Sequence, residues 1–218
     1  MRKLFSYDNF LFHVLSQIAD CMCLSLLWVI GSIPIVTMGA STTALYYAVN
    51  KCVKNSQGGI LREFWRSYRL NFKQATVIWL MVAPVLFVLA VSCYSAYLMH
   101  VSGRASKLLL IFLLVVASLV IMWANYLFPY LARFNNKSKQ ILINCIWISL
   151  FDIIKSFANF ALLAIAVLAV LTIPLCLGLV PAVYMLFTCY IQEPIFRKYM
   201  SPEDRSRELG ESEEYVES

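Results

Sequence analysis

An all-α, polytopic bundle of transmembrane helices is the fold class this sequence predicts, and three observations carry it. Of 218 residues, 61% are hydrophobic and only 14% are charged, with a mean hydropathy of +0.73. A soluble domain carries about 25% charged residues, and a compact core of this length cannot hide so much apolar surface. The apolar residues also fall into long unbroken blocks, not the alternating strands of about ten residues that a membrane barrel needs. Finally, the basic residues collect in alternate gaps between those blocks. Backbone groups in hydrocarbon must be paired within the chain, so the blocks are helices. A disordered chain, a strongly charged nucleic-acid binder and a secreted disulfide scaffold are all excluded by this composition.

A hydrocarbon core of roughly 30 Å takes about 20 residues of helix. On that measure residues 1–200 form one membrane domain, with spans at 12–34, 35–50, 75–99, 108–131, 157–174 and 179–197. Asp20 interrupts the first span and Pro34 closes it. The second is the weakest, because Gly39, Ala40, Ser41, Thr42, Thr43 and Ala44 lie inside it; read as a re-entrant or interfacial helix, it leaves five spans. The third and fourth are strong. Pro174 and Pro181 bracket the turn between the last two, since proline lacks the N–H that continues a helix.

Charge sets the orientation, because basic residues stay on the cytoplasmic side in short loops. Arg2 and Lys3 precede the first span, and Lys51, Lys54, Arg62, Arg66, Arg69 and Lys73 follow the second. Arg133, Lys137, Lys139 and Lys155 fall between the fourth and fifth, and Arg197, Lys198, Arg205 and Arg207 come after the sixth. Only Arg104 and Lys107 remain for the outer side. Six spans with both termini cytoplasmic satisfy this pattern. The formal charge of +6 divides into +11 on residues 1–200 and −5 on residues 201–218. A basic body suits an anionic inner leaflet, and the acidic tail reads as a solvated, disordered end.

Residues 59–73 read as a basic amphipathic helix. Arg62, Arg66, Arg69 and Lys73 recur at helical spacing on one face, with Ile60, Leu61, Phe64, Trp65, Tyr68 and Phe72 opposite. Such a helix lies in the inner interface, aromatics in the acyl boundary and cations on lipid phosphate. The same residues also suit a docking surface for a partner protein. Arg62, Phe64, Trp65, Arg66, Arg69 and Lys73 are the candidates for either role.

The broken second run supplies the other candidate site. Small residues allow close helix approach, and hydroxyls bond across helices. Interrupted helices also line binding cavities. Ser41, Thr42, Thr43, Tyr46 and Tyr47, with Asp20 of the first run, are the residues from which a small-solute transport cavity would be built. Three further ionisable residues stand in apolar surroundings. Asp152 and Lys155, three apart, suit a surface ion pair. Glu193 lies at the inner end of the last run, beside Pro194 and Arg197.

His13 and His100 are isolated in sequence. Of the seven cysteines only Cys21 and Cys23 are close together, and that spacing without further ligands is weak evidence for metal. Cys93 and Cys176 both map to the outer half, where a bridge is geometrically conceivable; most of the cysteines suit small core positions. No phosphate-binding glycine loop, nucleophile elbow, dinucleotide fingerprint or HExxH motif occurs. The expectation is a protein that is not an enzyme and needs no cofactor or metal.

Two stretches carry a family resemblance: residues 26–51, LLWVIGSIPIVTMGASTTALYYAVNK, and 58–80, GGILREFWRSYRLNFKQATVIWL. Pro34, Thr37, Gly39, Ser41, Thr42, Ala44, Tyr46 and Tyr47 mark the first, and Phe64, Ser67, Asn71, Phe72, Lys73, Gln74 and Ala75 the second. They resemble the YesL-type membrane proteins of Gram-positive bacteria, a family of uncharacterised molecular function whose members often neighbour sugar-uptake ABC transporters and two-component sensors. The resemblance implies an accessory or scaffold role in carbohydrate uptake or sensing, with a sugar ABC permease or a sensor kinase as partner.

Overall fold

The computed structural model describes residues 4–200 apart from 56, 104–106 and 135, with side chains from residue 15 onward. Arg2, Lys3, Arg104 and the acidic tail 201–218 lie outside the described residues. Among the described residues the chain is helical throughout: α1 Leu4–Ser32, α2 Met38–Ala48, α3 Ile60–Val101, α4 Lys107–Arg133, α5 Ser138–Phe151, α6 Ile153–Thr172 and α7 Val180–Tyr199. Short 3-10 turns at Ile35–Thr37 and Pro174–Gly178 lead into α2 and α7, and a π-helical turn, Val49–Lys54, extends α2.

Among the described residues, four segments are long and apolar enough to cross a membrane: Leu15–Ser32, Ile60–Val101, Lys107–Arg133 and Ile153–Thr172. Large apolar side chains stand exposed along them, among them Phe87 and Val88 on α3, Phe112 on α4 and Ile165 and Leu168 on α6. Lipid solvates such a surface at no cost, whereas water does not.

Besides the last run, whose α7 is not among those four segments, three features depart from the pattern read from the sequence. First, the run at 35–50 forms a 3-10 turn, the 11-residue α2 and the start of the π turn. At 1.5 Å per residue α2 covers only about 16 Å, half of a hydrocarbon core, and most of it is buried by α1, α3, α4 and α7. Second, the basic segment and the run at 75–99 are one continuous helix of 42 residues. Its length is roughly 63 Å, about twice a hydrocarbon core, so residues 60–74 extend past the apolar part. Third, residues 138–151, read as connecting chain, form α5.

Hydroxyls and indoles fix the way the chain enters α2. Thr37 Oγ1 donates to the Gly31 and Pro34 carbonyls, both at 2.8 Å. Ser41 Oγ donates to the Trp28 carbonyl at 2.9 Å, and Trp79 Nε1 donates to the Ile35 carbonyl at 2.7 Å. Small residues then let α2 sink between its neighbours. A Cβ on Gly39 would stand 2.7 Å from the Phe128 ring, 2.8 Å from Trp79 Cβ and 2.9 Å from the Ala75 carbonyl oxygen. No rotamer change relieves a clash with backbone. The replacement Gly39→Ala is therefore expected to cost about 1–3 kcal/mol in unfolding of the full chain in detergent. Gly178→Ala, where a Cβ meets nothing within 4 Å, serves as the control and changes stability by less than about 0.5 kcal/mol. Equal effects of the two would contradict this packing.

Candidate functional site

Residues 60–74 show how the sequence's amphipathic pattern is used. Glu63, Phe64, Ser67 and Ala75 are buried, with Tyr68 and Asn71 half-buried on the same face. This stripe packs against the α1–α2 pair rather than reaching into lipid. Phe64, expected on a docking surface, is 1% exposed and belongs to the interior. Trp65, expected opposite the cations, shares their side: its ring stacks on Tyr68 at 5.3 Å and carries the Arg69 guanidinium at 5.3 Å. Helical geometry explains both, because residue 65 precedes 66 and 69 by one and four positions, while 64 aligns with 67, 68 and 71.

The outward face holds Arg62, Trp65, Arg66, Arg69 and Lys73, with exposed Leu61 and Leu70. Glu63, three residues before Arg66, takes most of its charge partner from Lys51, at 3.2 Å, while Arg66 comes no closer than 4.0 Å. Arg62, Arg69 and Lys73 make no ion pair among the described residues. Arg62, Trp65, Arg66 and Arg69 also border a groove of about 510 Å³, closed on the other side by Leu27 of α1. Burial and the nearby Glu63 carboxylate push the Cys52 thiol up to about 11, so it stays neutral and unreactive near pH 7.

The second cluster is buried where α2, α4 and α7 meet. Glu193, 3% exposed, pairs with Arg133 at 3.1 Å. Its other oxygen accepts from Asn50 Nδ2 at 2.9 Å and from the Tyr46 hydroxyl at 3.2 Å. One turn on, Phe196 meets the edges of Tyr46, Tyr126, Tyr130 and Phe134 at centroid distances of 5.9–6.4 Å. The sequence marked Glu193 and Arg133 only as separate inner charges. Their pairing joins residues 60 positions apart, which no local spacing reveals.

The expected cavity residues are dispersed. Thr42 lines a chamber of about 450 Å³ and accepts from Trp28 Nε1 at 3.1 Å. Ser41 and Thr43 bond to backbone carbonyls and are buried. Tyr46 serves Glu193, and Tyr47 stands beside Lys51. Asp20, half-buried on α1, does not border the chamber. Asp152 and Lys155 do not pair: Asp152 ends α5 with φ −105° and ψ 49° and accepts from the Tyr199 hydroxyl at 3.3 Å. That break removes the helical register an i, i+3 pair needs. Cys93 and Cys176 are free thiols, and no group of three or more His, Cys, Asp or Glu gathers among the described residues.

Residues 21–93 match the model of a family described as a protein of unknown function, DUF624. The matched segment runs from α1 through α2 into the C-terminal half of α3 and includes the entire basic face. No curated protein and no solved structure matches the chain.

The Glu193 cluster makes a quantitative expectation. Arg133→Met or Glu193→Leu alone leaves a buried charge without its partner and costs about 3–5 kcal/mol. The double replacement removes both charges and recovers most of that loss. Unfolding of the four proteins in detergent gives the coupling; additive losses would contradict the pairing.

Proposed function

We propose that the protein is a non-enzymatic accessory of a membrane complex, docking through the outward basic face of residues 60–73. The observation that carries this reading is the division of labour within α3. One face is committed to the α1–α2 pair, and the other leaves Arg62, Arg69 and Lys73 without an acid partner among the described residues, beside exposed Trp65, Leu61 and Leu70. Arginine and tryptophan are the residues that concentrate binding energy at interfaces, and the rigid helix presents them without an ordering cost. The gathering of basic residues in alternate gaps supports placing this face on the cytoplasmic side of a bacterial membrane. The resemblance of residues 26–80 to YesL-type proteins supports a sugar permease or sensor kinase as partner, and hence a role in carbohydrate uptake or sensing. A carrier for small polar solutes is the lesser reading: the chamber bordered by Thr42 is walled mostly by apolar side chains.

Affinity purification of the full chain in mild detergent tests the docking role. Reversing Arg62, Arg66 and Arg69 to Glu is expected to lower recovery of at least one co-purifying membrane protein by about tenfold. An unchanged set of partners overturns the proposal. So does a variant that loses only its flotation with anionic vesicles, since the face would then be a membrane anchor.

A further inference from the structure

The outward face of α3 suits an occupant that is both acidic and apolar. Arg62, Arg66 and Arg69 border the groove of about 510 Å³, and Leu27, Leu61, Phe64 and Trp65 complete its lining. Leu61 and Trp65 are 62% and 48% exposed. Arg62 and Arg69, with Lys73 one turn further on, make no ion pair among the described residues, and Arg66 comes no closer than 4.0 Å to Glu63. Like charges three and four residues apart on a helix repel one another, so carboxylates set among these four cations relieve an existing strain in the charge pattern.

The chain itself carries a segment of that chemistry. In residues 201–208, Glu203, Asp204 and Glu208 stand against Arg205 and Arg207 and nearly cancel. Residues 209–218, LGESEEYVES, hold Glu211, Glu213, Glu214 and Glu217 and no base. Within them Tyr215 and Val216 lie between Glu214 and Glu217. Acids thus flank an aromatic and an aliphatic side chain, as the arginines flank the apolar lining of the groove.

The point where this tail leaves the described fold is within reach of the groove. Glu193 of α7 accepts from Asn50, and the next residue, Lys51, pairs with Glu63 in the first turn of α3. The end of α7 and the start of α3 are therefore joined through the side chains of two adjacent residues. Met200 follows Glu193 by about 11 Å of helix. Residues 201–215 extend over as much as about 50 Å, a length well beyond that separation.

We propose that residues 209–218 dock on the basic face of their own chain, with Tyr215 and Val216 in the groove and Glu213, Glu214 and Glu217 on Arg62, Arg66 and Arg69. A ligand tethered to its site meets it at a roughly millimolar effective concentration, so ion pairs that are individually weak at a surface suffice. The docked tail covers the surface through which the accessory role would recruit a partner, and that partner must displace it. This last consequence rests on the accessory reading; the docking itself does not.

The test replaces Tyr215 with benzoylphenylalanine in the full chain in lipid nanodiscs and maps the photo-crosslinks by mass spectrometry. Crosslinks are expected within residues 61–73 and at Leu27, with a yield that falls about tenfold between about 0.1 M and 1 M salt. Reversing Arg62, Arg66 and Arg69 to Glu, or neutralising Glu213, Glu214 and Glu217 to Gln, is expected to lower the yield about tenfold. The second set alters only the tail, so the test stands even if the first set disturbs folding. Crosslinks that fall mainly on Lys137, Lys139, Lys198 or lipid overturn the proposal. So do crosslinks that join heavy to light chains in an isotope mixture, which would make the occupant a second copy, and a yield indifferent to the tail replacements. No partner enters this readout: it can fail while a partner is still recovered through the basic face, and succeed while none is.

Discussion

A single carboxylate, that of Glu193, holds together the elements on which the rest of the molecule is arranged. A buried ion costs several kcal/mol unless its lone pairs are engaged. Here Arg133 of α4, Asn50 of the π-helical turn and Tyr46 of α2 all converge on it. These donors come from separate stretches of chain, so the carboxylate is satisfied only when α2, α4 and α7 are correctly placed. Phe196 and its four aromatic neighbours then seal the cluster from water. A low local dielectric strengthens the bonds that remain.

That constraint explains why a short, glycine-containing helix lies at the centre. With Tyr46 and Asn50 held on Glu193, α2 is drawn between α1, α3 and α4, and only a residue without a side chain fits where Gly39 meets Ala75, Trp79 and Phe128. Burial of α2 in turn commits one face of residues 60–74, through Phe64, Ser67 and Ala75. Lys51, carried by the π-helical turn just after Asn50, neutralises Glu63 at 3.2 Å. What α3 has left over is its cationic face. The interaction surface is therefore a by-product of how the interior is satisfied. The chamber beyond Thr42 is where the interior is not closed: α6 buries only Ser156 and Asn159 completely, and its C-terminal half leaves space beside α7.

Much of the fold was legible in the sequence, because hydrophobicity and length act locally. The apolar blocks of α1, α3, α4 and α6 announce themselves. The small residues of α2 and the basic spacing of residues 62–73 were also readable. What escaped depends on contacts distant in sequence. The pairing of Glu193 with Arg133, and the inward turn of Phe64, are decided by which neighbour arrives on which face. The continuity of α3 escaped for a different reason: a change from basic to apolar composition looks like a boundary, yet helical hydrogen bonds run through it. One local signal was present and was not used. Tyr184, Thr188 and Gln192 at four-residue spacing in an apolar run mark a polar stripe on α7, and Asn125 and Asn159 stand alone in apolar runs in the same way.

Helix α2 is protein core, fixed from inside, and not a segment at the lipid surface. Hydrogen exchange of the full chain in lipid nanodiscs, resolved to peptides by mass spectrometry, tests it most directly. The amides of Met38–Ala48 are expected to be among the slowest in the molecule and to exchange only through global unfolding. Exchange of α2 as fast as that of residues 57–59 before α3 would contradict it.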